Sequence, residues 1–249
     1  IAKVMGKLRT DQDTRQAVIT IWDPAEDWVE GSRDYPCNNW LHFIIRDDKL
    51  HLNVGVRSND LVFGFSHVDF FGWSVLLELM ANWVGVGMGT INWNATSMHI
   101  YERHFGMMQQ IVEETPHPYR TPAFYGVPSL PVFCPWDKFD RMLTHLTTWA
   151  QYWAVGHVYG STTPPGHVLV EDLPWFNEAQ KMLWLWAEFK HVQAGHAPVQ
   201  IYNVLNNMVH SDMRVAALVY LSQRMDGFNW EAVDLSWEEQ NYLTLRRLL

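Results

Sequence analysis

Residues 40–56 constrain this chain more than any other stretch. Trp40 to Arg46 and Leu50 to Val56 are two β-forming runs on either side of Asp47-Asp48-Lys49, which is the pattern of a hairpin. In the second run Leu52, Val54 and Val56 alternate with His51, Asn53 and Gly55. Successive side chains on a strand point to opposite faces, so one face is expected to be buried and the other available.

The flanking sequence supplies both helices and strands. Ile1 to Leu8 reads as a short helix and Asp11-Gln12-Asp13 as a turn. Ala17 to Trp22 is apolar and β-branched, a strand that Asp23-Pro24 ends. Val68 to Val84 is apolar nearly all round, which predicts a buried helix, broken at Gly85-Val86-Gly87. Thr90 to Asn94 and Ser97 to Tyr101 read as short extended pieces, and Glu102 to Glu114 as helix. Residues 115–135 are rich in Pro and aromatics, a loop or linker. Beyond them the pattern is helical over Lys138–Tyr159, Asn177–Val192, Val199–Val209, Ser211–Met225 and Trp237–Leu249, with Asp212, Asp234 and Ser236 as cap or turn residues. The expected fold class is α+β. A core over residues 1–114 carries a mixed sheet flanked by helices, and a helical segment over 136–249 packs on it.

Composition narrows the function. With 48% hydrophobic and 18% charged residues among 249, a packed core is expected, and the 14 Trp serve it first. A net charge of −9 argues against a general nucleic-acid binder, which needs a basic face, but leaves a single nucleotide open. No uninterrupted run of 18 apolar residues predicts a membrane span. Two cysteines in a chain this long point to thiols in a reducing, cytoplasmic setting. The 12 histidines show no metal-ligand spacing, so no metal is expected.

The chemistry-bearing residues are few. Cys37, in Tyr35-Pro36-Cys37-Asn38-Asn39-Trp40, precedes Arg57-Ser58-Asn59-Asp60 by twenty residues. A thiolate can attack an electron-poor carbon, and an Arg-Ser pair can hold a phosphate monoester. His99 and Tyr101 are two apart, on one face of an extended segment. Cys134, between Phe133 and Pro135, reads as a small buried hydrophobe.

Taken in order, these motifs resemble the thymidylate synthase family. The matching series is Thr14-Arg15, Trp22-Asp23-Pro24, Pro36-Cys37, Arg57-Ser58-x-Asp60 with Gly64, Trp93, and His99-x-Tyr101 with His104. The resemblance implies that Cys37 adds to C6 of a pyrimidine nucleotide and turns C5 into a carbon nucleophile. C5 then takes a one-carbon unit from methylenetetrahydrofolate. Hydride transfer to the resulting exocyclic methylene gives a methyl group, and addition of water gives a hydroxymethyl group. Carried over by motif, Arg57 and Ser58 bind the 5′-phosphate, and His99 and Tyr101 the sugar. Asp60 contacts the pterin, and Gly64 lets the backbone come close to the ligand. The family builds each site from two chains, so Arg15 reaches the phosphate in the partner's site and a homodimer is expected.

The departures from the family carry information. Where thymidylate synthases have an Asn before the apolar helix, alignment with a one-residue insertion puts Asp69. Uracil offers N3–H and O4, which an amide satisfies; cytosine offers N4–H₂ and unprotonated N3, which suit a carboxyl group. The implied activity is C5 hydroxymethylation of CMP or dCMP. Thymidylate synthesis, dUMP hydroxymethylation and a non-catalytic nucleotide-binding scaffold are the alternatives. Asp69 also stands where it could cap the apolar helix. Asn38 replaces the His that often follows the family cysteine, Val56 a Gln, Gln16 a second Arg, and Ala95-Thr96-Ser97 a Gly-Gly-Asp run.

Overall fold

A computed structural model describes residues 1–114, 126–154, 173–193, 195 and 198–245. The chain divides into two compact units, Ile1–Tyr119 and Arg120–Leu249.

The first unit is organised by the hairpin. Strand β2 (Asn38–Arg46) pairs antiparallel with β3 (Lys49–Val56), and the turn residues Asp47 and Asp48 both take positive φ, at 52° and 56°. Asp tolerates that left-handed region because its short side chain bonds locally. The register sets Leu41 opposite Val54, Phe43 opposite Leu52 and Ile45 opposite Leu50, and all six are buried. The alternation therefore builds one apolar face, as its period requires. On the other face Gly55 lies under the indole of Trp40, whose ring atoms would come within 2.2 Å of a Cβ placed there.

Before the hairpin come helix α1 (Ala2–Thr10), strand β1 (Val18–Thr20) and the single turn α2 (Pro24–Asp27), capped by the Asp23 carboxylate. β1 is shorter than the apolar run Ala17–Trp22. Its pairing with β2 nevertheless continues past both ends through Phe43 N–H to Ala17 O and Ile21 N–H to Asn39 O. After the hairpin, β4 (Asn59–Asp60) leads into a wide π-helical segment, Leu61–Asp69, and then helix α3 (Phe70–Val84). β5 (Gly87–Ala95) returns parallel to β3, completing a mixed sheet of order β1-β2-β3-β5. Two parallel neighbours need a crossover of this length. Gly85 ends α3 at φ 87°, the left-handed cap position that favours glycine.

Three expectations change here. The helix expected over Val68–Val84 is two segments of different winding, starting at Leu61, and it is not buried all round. Leu77, Leu79, Met80, Ala81 and Trp83 are buried, whereas Val68, Phe70 and Phe71 are exposed. Apolar periodicity reports what can be buried, not what the neighbouring elements cover. By length and composition Leu61–Val84 could cross a membrane, although it is interrupted by Ser66, His67, Asp69, Ser74, Glu78 and Asn82. Its far end is tied into the unit, with Arg9 Nε donating to the Trp83 carbonyl at 2.8 Å. The extended piece Ser97–Tyr101 contributes only β6 (Met98–His99), parallel to β4. Tyr101 then opens a 3₁₀ turn, Glu102–His104, before α4 (Phe105–Glu114).

The second unit is helical among its described residues: α5 (Trp136–Ala154), α6 (Pro174–Gln193), α7 (Val199–Asn206), α8 (Asp212–Arg224) and α9 (Trp237–Leu245). Residues 126–135 form no helix or strand. The rest of the expected loop, 115–125, and the helix ends at 155–159 and 246–249 lie outside the described residues. Ile201, Val204, Leu205 and Met208 recur at helical spacing and pack with Leu185, Phe189, Leu218, Leu221 and Leu243 in one core. Ser236 and Glu239 form a reciprocal capping box at α9, Ser236 N–H donating to the carboxylate at 2.9 Å and Glu239 N–H to the hydroxyl at 3.3 Å. The same carboxylate pairs with fully buried Arg214, which also donates to the Leu205 carbonyl at 2.8 Å.

Candidate active site

The β2–β3 register brings the first two candidate residues together. Asn38 opposes Val56, and Arg57 N–H donates to the Cys37 carbonyl at 2.9 Å, so the twenty-residue separation closes at the open end of the hairpin. The Cys37 thiol is exposed. Arg57 donates through Nε to Pro36 O at 2.9 Å and through Nη2 to Tyr35 O at 2.7 Å, which places Nη2 3.8 Å from Cys37 Sγ. A guanidinium has five donors, and the pair on Nη1 makes no hydrogen bond among the described residues. Ser58 follows, half-buried. Beside this end, Trp22, Trp28 and Tyr35 form an aromatic cluster with ring centroids 5.2–5.9 Å apart.

The β4–β6 pairing brings in the next group. Asp60 opposes His99, and Asn59 N–H donates to the Ser97 carbonyl at 2.8 Å. The His99 and Tyr101 rings meet edge to face at 5.1 Å, and Arg103 lies 4.4 Å over the Tyr101 ring. The Asp60 carboxylate caps the π-helical segment, accepting from Val62 N–H at 3.1 Å and Phe63 N–H at 3.4 Å. That segment carries Phe63 and His67, whose rings stack at 6.3 Å.

Asp69 joins the two groups. It does not cap α3: its backbone is already helical and its side chain makes no cap bond. Its carboxylate instead accepts from Asn38 Nδ2 at 3.2 Å and from Asn59 Nδ2 at 2.9 Å. Asn38 in turn accepts from Trp73 Nε1 at 3.2 Å. Gly64 sits against this junction. A Cβ there would come 2.5 Å from Asn59 Nδ2 and 3.0 Å from Asp69 Oδ2, so the close approach is to side chains of the chain itself. Arg15 stands apart from these groups, exposed in the turn between α1 and β1, with no hydrogen bond or ion pair to its guanidinium among the described residues.

Asn59, Trp73 and Arg103 were not singled out from sequence. Asn59 occupies the variable place of Arg-Ser-x-Asp, and Trp73 lies one helical turn after Asp69, a spacing that puts both on one face. Either signal could have found them.

The thymidylate synthase family model matches residues 1–125, half of the chain. The chain belongs to the thymidylate synthase family. The deoxyuridylate hydroxymethyltransferase of Bacillus phage SP01 is 40% identical over 104 residues, 41% of this chain and 27% of the relative. A Methanocaldococcus jannaschii protein named "Putative thymidylate synthase" is 38% identical over 116 residues, 45% of this chain and 51% of the relative. The deoxycytidylate 5-hydroxymethyltransferase of Enterobacteria phage T4 is 31% identical over 111 residues, 41% of this chain and 45% of the relative. The chain thus spans about half or less of these relatives' length. Among the described residues no group of three His, Cys, Asp or Glu is placed to hold a metal ion.

Proposed function

We propose that this protein hydroxymethylates C5 of a cytidine 5′-monophosphate, CMP or dCMP. The observation that carries the cytosine reading is the Asp69 carboxylate. It is held by amide donors on both oxygens beside the Cys37 segment, and it is not spent on a helix cap. A carboxylate has roughly four lone-pair sites, so two remain for N4–H₂ of cytosine and for a proton shared with N3. Cys37 adds to C6, breaking the C5=C6 π bond, and the Arg57 guanidinium lies beside the sulfur that gives up its charge. The Nη1 donors of Arg57 and the Ser58 hydroxyl take the 5′-phosphate, and His99 and Tyr101 the sugar. Methylenetetrahydrofolate supplies the one-carbon unit when bound. Asp60 keeps acceptor capacity beyond its two backbone bonds, and the Phe63–His67 stack beside it suits a planar heterocycle, so these residues fit a pterin, while the close approach at Gly64 is taken up by Asn59 and Asp69. Loss of the C5 proton and departure of tetrahydrofolate leave an exocyclic methylene on C5, and water addition to it, with loss of the thiol from C6, completes the reaction.

Release of tritium from C5-labelled CMP, dCMP and dUMP, with the product mass, tests this reading. Exchange from dUMP alone would sink the cytosine assignment, and a methyl product would sink the water step. Uridylate hydroxymethylation is the second reading. It is favoured by the 40% identity to the phage SP01 protein, against 31% to the T4 protein.

The site works as a homodimer in the cytoplasm, where reducing conditions keep Cys37 a thiol. Arg15, exposed and unengaged, reaches the partner's phosphate. Mixing Cys37→Ala protomers with Arg15→Ala protomers should restore activity that neither has alone, through hybrid dimers with one intact site. No recovery on mixing would show that Arg15 serves its own chain.

A further inference from the structure

We infer that Trp73, Asn38 and Asn59 form a one-way hydrogen-bond relay that orients the Asp69 carboxylate and so sets base preference; the inference rests on the nucleotide reading above. Direction follows from the chemistry of the partners. An indole N–H can only donate, so Trp73 Nε1, 3.2 Å from Asn38, fixes the carbonyl oxygen of that amide on its own side. The NH₂ end of Asn38 must then face Asp69 Oδ1, where it lies at 3.2 Å. An ionised carboxylate can only accept, so both ends of the Asn38 amide are determined and its flip state is not free.

Asn59 closes the other oxygen and does so at a cost. It is 2% exposed, and its Oδ1 is buried with no partner among the described residues, while its Nδ2 donates to Asp69 Oδ2 at 2.9 Å. A buried amide that leaves its acceptor unmet to keep its donor on a carboxylate is arranged for that carboxylate. Gly64 provides the room, since a Cβ would crowd both Asn59 Nδ2 and Asp69 Oδ2.

The relay bears on specificity because it holds the Asp69 carboxylate in place as an acceptor. Asn38 and Asn59 are the amides bonded to Asp69, each through one N–H of its NH₂ group. With Asp69 so held, O4 of uracil meets a carboxylate, acceptor against acceptor, whereas N4–H₂ of cytosine meets an acceptor it can use. Asn38, Asn59 and Trp73 are therefore positioning residues that act through Asp69.

Dissociation constants of dCMP and dUMP for the full chain and for Trp73→Phe and Asn38→Ala test this by calorimetry, with thermal melting alongside. Trp73→Phe keeps the ring and removes the N–H; it should lower the dCMP-to-dUMP affinity ratio about tenfold, the scale of one lost hydrogen bond, with a melting temperature lowered by no more than that one bond. Asn38→Ala should lower the ratio at least as far. Equal weakening for both bases, or an unchanged ratio, would overturn the relay and leave these residues a purely structural role. A wild-type protein that prefers dUMP would overturn the cytosine reading alone, because the relay is still judged by whether the two variants move the ratio. Binding of neither nucleotide would overturn both.

Discussion

At the scale of single residues, the two cysteines separate by environment. Cys37 is exposed beside Arg57, whereas Cys134 is buried, and burial pushes its thiol up, with Lys138 pulling the other way. Iodoacetamide at neutral pH should label Cys37 in the folded protein and reach Cys134 only in denaturant; peptide mass mapping reads both. The Cys134 shift has a sign in stability. The folded state holds the thiol proton more tightly than the unfolded chain, so its contribution is fully present below the ordinary thiol pKa. It is lost as pH rises through the raised value. Cys37→Ala should abolish C5 tritium release while leaving melting unchanged. Asp69→Asn should reverse the base preference by on the order of 10³-fold or more in kcat/KM, the range for sites built on hydrogen bonds; a preserved cytosine preference would show that Asp69 does not read the base. Cys37, Arg57 and Asp69 were legible as candidates because their motifs are local. Their mutual geometry was not, because Asn38 and Asp69 are 31 residues apart and meet only through the sheet.

At the scale of elements, the hairpin and the helix ends carry the testable energetics. The period-two pattern of Leu50 to Val56 marked its buried face in advance, and a one-residue slip would turn every buried side chain to the other face. The winding of Leu61–Asp69 was not readable from that kind of pattern. Asp60 caps one end of it, and at the other Asp69 is bonded to Asn38 and Asn59. Gly85→Ala forces a Cβ into the left-handed cap of α3 and should cost about 1 kcal/mol, measured as a lower urea midpoint with an unchanged slope. Ser236→Ala removes half of the α9 capping box and should cost about 1 kcal/mol by the same measurement.

At the scale of the whole molecule, each unit is held by a different device. The first relies on apolar strand pairs under a crossover helix. The second adds a buried ion pair, in which Arg214 and Glu239 are both fully enclosed and Arg214 also ties down the Leu205 and Asp234 carbonyls. Removing Arg214 leaves the buried Glu239 carboxylate with only His210, at 2.8 Å, and the Ser236 N–H as partners among the described residues, so Arg214→Ala should destabilise by up to about 3–5 kcal/mol. A denaturation midpoint near wild type would show that water or rearrangement replaces the arginine. The charged pair was not legible in sequence, because Arg214 and Glu239 lie 25 residues apart.

The sequence by itself determined the α+β class, the hairpin, the helical second half and the family, because periodicity and short motifs are properties of neighbouring residues. Tertiary structure decided which apolar face of Leu61–Val84 is covered, that Asp69 turns to two amides instead of capping α3, and that Trp73 stands behind Asn38. Those outcomes depend on which groups the sheet brings within hydrogen-bond range across tens of residues. No local pattern encodes that distance.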